Sequence, residues 1–260
     1  ARLQERGVVI VPPEEGELAS GRMGKGRLAA PEKIAGCVRY VLSRGGPLCG
    51  KTVVVTAGPT REHIDPVRFI SNPSSGRMGY AVAGAAARRG ADVLLVSGPT
   101  SLECPGGVSL VSVTSAAEMK SAVLDNIKGI DALVMAAAVA DFRPSQTAKG
   151  KIKKEEDIPR LRLERTDDIL KAVAESDSDC FVVGFAAETH DVVENARRKL
   201  VEKNMNAIVA NLVGPSDSGF TASTTMAALL TPGQGEVELE MLSKEQLAER
   251  ILDLISSAFS

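Results

Sequence analysis

Short apolar, β-branched runs recur along this chain at residues 52–56, 92–97, 108–113, 131–137, 181–186 and 207–213. Helical patterns fill most of the gaps, at residues 78–89, 116–127, 168–175 and 192–203. This alternation constrains the fold more than any other feature. Runs so apolar need cover on both faces, and the intervening helices supply it. The expected class is α/β: right-handed βαβ units on a Rossmann-like, mostly parallel, doubly wound sheet. Ser115 reads as an N-cap, with Glu118 completing a capping box. The rhythm changes after Gly214. Residues 224–231 and 236–242 flank Pro-Gly-Gln-Gly and read as a C-terminal β-hairpin extension. In its second strand Val237, Leu239 and Met241 share one face and Glu236, Glu238 and Glu240 the other. Residues 243–259 form a closing amphipathic helix that buries Leu247, Ile251, Leu254 and Ile255.

The first 50 residues do not share the pattern. Residues 1–10 read as a helix end and a strand, 14–28 as a Gly/Ser loop, 31–42 as a short helix and 43–50 as a linker. A piece this small cannot build its own core. It reads as the end of another domain (1–50), ahead of a full domain at 51–260. A net charge of −2 gives no field that would draw the chain to nucleic acid. Only 3% aromatics and no Trp leave no base-stacking platform. No apolar run approaches the roughly 20 residues that span a bilayer, and no signal peptide is expected. Cys37, Cys49, Cys104 and Cys180 are scattered without metal-ligand spacing and read as reduced thiols of a cytoplasmic protein.

The connection from the first strand to the first doubly wound helix carries the most chemistry. The segment is TVVVTAGPTREHIDPVRFISNPSSGRMG, residues 52–79. Strand-to-helix connections usually take about 2–6 residues, and this one is about three times as long, as functional loops are. Its end, Ser74-Ser75-Gly76-Arg77-Met78-Gly79, sets hydroxyls, mobile backbone and a cation at a helix N-terminus. Unbonded N–H groups and the positive dipole end suit that place to phosphate. A second long connection, residues 138–154, offers Asp141 and the cations Lys149, Lys151, Lys153 and Lys154. In open α/β sheets ligands sit beyond the carboxyl ends of the strands. The lysines suit a triphosphate there, or form a solvated run. Asn72 is either an amide donor to substrate or an Asx turn before Pro73. His63 and His190 read as surface residues, and Lys199 and Lys203, one turn apart, as a solvated helix face.

Several chemistries are missing their signatures. No G-x-G-x-x-G follows the first strand, the one G-x-x-x-x-G-K-T match (residues 45–52) runs into a strand and not from a strand into a helix, and no G-x-S-x-G elbow occurs. Tyr80 is followed four residues later by Gly84 and not by Lys, which counts against a Rossmann-type oxidoreductase. A non-catalytic nucleotide-binding module is the other alternative; it needs neither Asn72 nor Lys151.

Taken together, Thr56-Ala-Gly-Pro-Thr-Arg-Glu, Asp65-Pro-Val-Arg-Phe-Ile-Ser-Asn, Ser74-Ser-Gly-Arg-Met-Gly, Ala137-Ala-Val-Ala-Asp-Phe-Arg, Lys151-Ile-Lys-Lys and Val183-Gly-Phe-Ala-Ala-Glu-Thr resemble 4′-phosphopantothenoyl-L-cysteine synthetase. This is the synthetase half of the bifunctional coenzyme A biosynthesis protein. The stretch from Pro12 to Leu28 resembles the C-terminal substrate clamp of the flavin-dependent decarboxylase half. Where that clamp commonly carries cysteine this chain has Ser20, and most of a flavoprotein domain is missing, so neither decarboxylation nor flavin is expected.

The resemblance implies a ligase of coenzyme A biosynthesis. It joins 4′-phosphopantothenate to L-cysteine with CTP and Mg²⁺, through an acyl-cytidylate, in a homodimer. It implies that Met135, Ala136, Ala137 and Phe185 line the base and that Asp141 holds ribose or metal. Asp167, Asp168, Ile169 and Leu170 would add nucleotide contacts. Lys151, Lys199 and Lys203 would meet the phosphates, and Asn72 would fix the acyl-nucleotide. The phosphate-seat residues are Gly58, Ser74, Ser75, Gly76, Met78 and Gly79. Metal ligands are not assigned.

Overall fold

A computed structural model describes residues 2–18, 20–43, 45–153, 160–213, 224–235 and 237–259. The leading segment contains α1 (Arg2–Glu5), β1 (Glu14–Glu17), β2 (Met23–Arg27) and α2 (Pro31–Leu42). Then follow β3 (Thr52–Ala57), β4 (Arg61–His63), β5 (Phe69–Ser71), α3 (Arg77–Arg88), β6 (Asp92–Ser97), β7 (Val108–Ser112) and α4 (Ala116–Asp125). The middle holds β8 (Ala132–Met135), β9 (Phe142–Pro144), β10 (Leu163–Arg165), α5 (Ile169–Ala174), β11 (Phe181–Glu188) and α6 (Val192–Glu202). The chain closes with β12 (Ala207–Leu212), β13 (Thr224–Leu230), β14 (Glu240–Ser243) and α7 (Lys244–Ala258).

The main sheet runs β14-β13-β12-β11-β8-β3-β6-β7. From β7 across to β12 every pairing is parallel, and β13 and β14 add an antiparallel edge. The class is the doubly wound α/β fold that the alternation predicts. Successive residues of β3 serve opposite faces. Val53 and Val55 join α3 and α7 in one core cluster, whereas Val54 joins α4, α5 and α6 in the other. Chain order reverses at β3, with β6 and β7 laid down on one side and β8, β11 and β12 on the other. The crevice between the carboxyl ends of β3 and β8 is therefore the switch point, where folds of this type bind ligands.

Two glycines let this crevice close up. Gly76 caps α3 at φ 80°, and a Cβ there would come within 2.7 Å of Thr100 Cγ2. A Cβ on Gly79 would stand 2.5 Å from Ala57 Cβ, so this glycine brings α3 flush against β3.

Several expectations need correcting. Residues 14–28 are not an open loop: β1 and β2 pair antiparallel, Glu14 opposite Arg27. Residues 1–10 hold α1 but no strand among those described. The 43–50 segment is no loose linker. Leu48 is fully buried in the first core cluster, and Ser43 Oγ donates to the Ala87 carbonyl. At the C-terminal hairpin the Thr231–Gln234 turn forms, but β14 starts only at Glu240. Its pairing with β13 ends at Ala227–Glu240, so Val237 and Leu239 leave the ladder and pack on the second core cluster. Met241 is exposed and Leu242 buried, the reverse of the face read from alternation. Ser115 caps α4 as expected, but Glu118 reaches back to the N–H of Thr114 rather than to that of Ser115.

Candidate active site

The loop leaving β8, residues 136–141, is a rigid partition. Ala137 N–H donates to Thr56 Oγ1, and Ala138 N–H to the Gly58 carbonyl. The Asn72 amide donates to the carbonyls of Ala138 and Val139 at 3.3 and 3.1 Å. Fully buried Thr60 accepts from Ala140 N–H through Oγ1. Thr166 donates from Oγ1 to the Ala140 carbonyl and from its N–H to that of Asp141. With its polar backbone groups held from both flanks, the loop has little freedom to yield.

A cavity opens on each side of this partition, of about 260 and 460 Å³. Both are lined by Ala137, Val139, Asp141 and Phe185. The smaller one gathers Asn72, Ser74 and Gly76 from the connection after β3 and Met78 from the first turn of α3, with Ala136 from the loop after β8. It ends on the N-terminus of α3, which has no side-chain cap and no acid in its first turn. Arg77 and Lys244 also line it, with Asn211 and buried Thr225 hydrogen-bonded to each other. Burial pushes the Lys244 ammonium pKa down, and the Arg77 charge adds to the shift. A helix N-terminus with two cations suits an anionic group.

The larger cavity gathers Met135, Asp167, Asp168, Ile169, Leu170, Lys199 and Lys203 around the shared wall. Four of its charged residues are already paired. Lys199 pairs with Glu188 at 2.6 Å, Lys203 with Asp168 at 3.0 Å, and Asp167 with Lys120 at 2.7 Å. Asp168 also caps α5, accepting from Lys171 N–H. Burial raises its pKa, but the Lys203 hydrogen bond and the backbone N–H groups outweigh burial and leave it below the usual carboxylate range. Lys199 and Lys203 thus face a cavity, not open solvent as their spacing alone suggests.

The remaining expected residues lie elsewhere. Gly58, Ser75 and Gly79 line neither cavity. Gly58, at φ 74°, backs Gly76, and Gly79 serves helix packing. Lys151 lines neither cavity; with Lys149 and Lys153 it is exposed on the segment after β9. Lys154 lies outside the described residues. Among the described residues no cluster of three or more His, Cys, Asp or Glu could hold a metal, and no helix is long and apolar enough to cross a membrane. The polar residues that sequence reasoning missed include Lys244, Asn211 and Thr225, together with Arg165 and Thr166. Lys244 gave no signal, because it reads as the solvated first residue of an amphipathic helix.

Residues 48–259 match the family model of the DNA/pantothenate metabolism flavoprotein C-terminal domain. The coenzyme A biosynthesis bifunctional protein CoaBC of Bacillus subtilis is 44% identical over 258 residues, which cover 98% of this chain and 64% of that protein. The chain thus spans less than two thirds of that relative's length. The crystal structure of the C-terminal domain of a CoaBC protein superposes with a TM-score of 0.70 at 43% identity, covering 82% of this chain and 98% of that one. The DNA/pantothenate metabolism flavoprotein of Streptococcus pneumoniae shares the fold, with a TM-score of 0.67 at 24% identity over 80% of this chain and 99% of that one.

Proposed function

This chain belongs to the DNA/pantothenate metabolism flavoprotein C-terminal domain family, and from that premise we propose that it is a phosphopantothenate–cysteine ligase of coenzyme A biosynthesis. The observation that carries the reading is one partition serving two cavities, one ending on a helix N-terminus with two cations and the other holding Lys199 and Lys203. The first suits 4′-phosphopantothenate and the second a nucleoside triphosphate, CTP. The substrate carboxylate oxygen attacks the α-phosphorus and the bond to pyrophosphate breaks. The cysteine amine then attacks the acyl carbon, the bond to CMP breaks, and the amine's surplus proton passes to solvent.

The protein's part is placement and charge. The α3 N-terminus, Arg77 and Lys244 hold the substrate phosphate. Lys199 and Lys203 exchange their carboxylate partners for phosphate oxygens, and Lys151 offsets charge at the α-phosphate. Asn72 steadies the partition on which the acyl-nucleotide rests and faces that intermediate from the smaller cavity. Mg²⁺ fits the donor set, since it is commonly held by one or two carboxylates plus phosphates, and Asp141 is exposed on the shared wall. When bound it supplies charge neutralisation on the triphosphate. Residues 1–50 are read as the tail of a decarboxylase domain of a longer polypeptide. The protein is read as a cytoplasmic homodimer that uses no flavin for this reaction.

The test is pyrophosphate release with CTP, ATP, GTP and UTP, with and without 4′-phosphopantothenate, cysteine and Mg²⁺. Release that requires 4′-phosphopantothenate and is fastest with CTP is the expected result. Equal rates with ATP and CTP would remove the nucleotide assignment, and release independent of 4′-phosphopantothenate would remove the ligase.

A further inference from the structure

Lys151 lies outside both cavities, so something must fix where it starts. We infer that Asp65 and Arg68 are positioning residues for Lys151, acting by clamping the backbone of Ile152; this rests on the ligase reading above. The Asp65 side chain is fully buried. Its Oδ1 accepts from the N–H groups of Val67 and Arg68, both at 2.8 Å. Those two bonds alone make an Asx turn. Oδ2 does something a turn does not need: it accepts from Arg68 Nε at 2.9 Å, from Arg68 Nη2, and from the N–H of Ile152 at 3.2 Å. Arg68 Nη2 also donates to the Ile152 carbonyl at 2.7 Å. Both backbone groups of Ile152 are therefore gripped by one ion pair 84 or more residues away.

A second grip lies just upstream. Thr147 Oγ1 donates to the His63 carbonyl at 3.0 Å, and Ala148 N–H to that of Ile64 at 2.9 Å. Lys149, Gly150 and Lys151 are thus a short span between two anchors on the β4–β5 turn. The hairpin beneath is itself fixed. Arg61 N–H donates to the Thr114 carbonyl, Glu62 accepts from Ala116 N–H, and Ser71 Oγ donates to the Thr60 carbonyl. Asn72 follows β5 directly, so one hairpin carries Asn72 at its exit and the Lys151 anchor at its turn. Burial raises the Asp65 pKa, but the Arg68 hydrogen bond and the backbone N–H groups overcome it and hold the carboxyl well below the usual range. The clamp therefore stays ionised across the neutral range.

The variant Arg68→Lys keeps the charge but loses the fork that bonds Asp65 and Ile152 together. Pyrophosphate release at saturating CTP should fall about 10- to 100-fold, as for a misplaced catalytic group. The melting temperature should hold to within about 3 °C. In a Lys151→Gln background the same change should cost nothing further, because the clamp acts through Lys151. In the unaltered chain the Ile152 amide should exchange with deuterium at least about 100-fold slower than that of Gly150; this arm stands even if Arg68→Lys fails to fold. An Ile152 amide as fast as Gly150 overturns the inference. So does a full-turnover Arg68→Lys, or one whose loss is the same with and without Lys151. If the unaltered chain releases no pyrophosphate with any nucleotide, the ligase reading fails, and the exchange data still decide whether the clamp exists.

Discussion

Lys151 can contribute only its charge, because its exposed side chain lines neither cavity. Lys151→Gln is therefore expected to lower pyrophosphate release by about 10²–10³, the usual loss of one preorganised electrostatic donor, with the urea midpoint unchanged. Near-normal release would return it to a solvated run. Asn72 is a different case, since its amide already bonds two partition carbonyls. On the ligase reading proposed above, Asn72→Asp sets an anion where charge grows on the acyl oxygen in the second step. The variant should build up acyl-cytidylate and form little product, as seen by mass spectrometry of quenched mixtures. If both half-reactions slow together, Asn72 only steadies the partition. The sequence made Asn72 legible through its place before Pro73 in a long loop. It could not make Lys244 legible, because that burial arises only when α7 docks beside β13 and α3, a contact between segments far apart in the chain.

Elements with a strong apolar period were readable and short polar ones were not. The inner parallel strands appeared within a few residues of their true ends because burial on both faces leaves an apolar, β-branched run; edge strand β7, Val-Ser-Leu-Val-Ser, is half-buried or exposed and showed through its valines alone. Glu14–Glu17 forms β1 with no apolar residue at all, since its pairing comes from the partner strand and not from a buried face. The β4–β5 and β9–β10 pairs, three residues a strand, were hidden inside long loops because three residues are too few to show a period. At α3 the sequence did place a helix start, but it could not divide the glycines between ligand and packing. Gly79→Ala tests that division. Its Cβ would press on Ala57 Cβ and the Thr56 carbonyl, so a loss of about 1–3 kcal/mol is expected from urea denaturation. Unchanged stability with weakened 4′-phosphopantothenate binding would give Gly79 back to the phosphate seat.

Across the whole molecule, Asp65, Asp131 and Asp168 all have pKa values below the ordinary carboxylate range; at each, burial alone acts the other way and hydrogen bonds and cations prevail. The unfolded chain then binds more protons through that range, so stability rises with pH across it. The contribution is complete above the ordinary pKa of about 4 and is lost as pH falls through the lowered folded values. The urea midpoint should be lower at pH 3 than at pH 6, with Asp65→Asn showing a smaller drop; equal drops would mean that Asp65 carries none of this dependence. At the other end of the sheet β14 is an edge strand that exposes Met241, a surface that a second copy of the chain could cover. Light scattering at micromolar concentration is expected to give twice the chain mass, and a monomer mass would exclude the pairing. The shared partition has a further consequence. On the ligase reading both substrates lean on one wall, so any effect of one on the other is mutual. Whatever factor CTP imposes on the dissociation constant of 4′-phosphopantothenate, 4′-phosphopantothenate must impose on that of CTP, because a thermodynamic cycle closes.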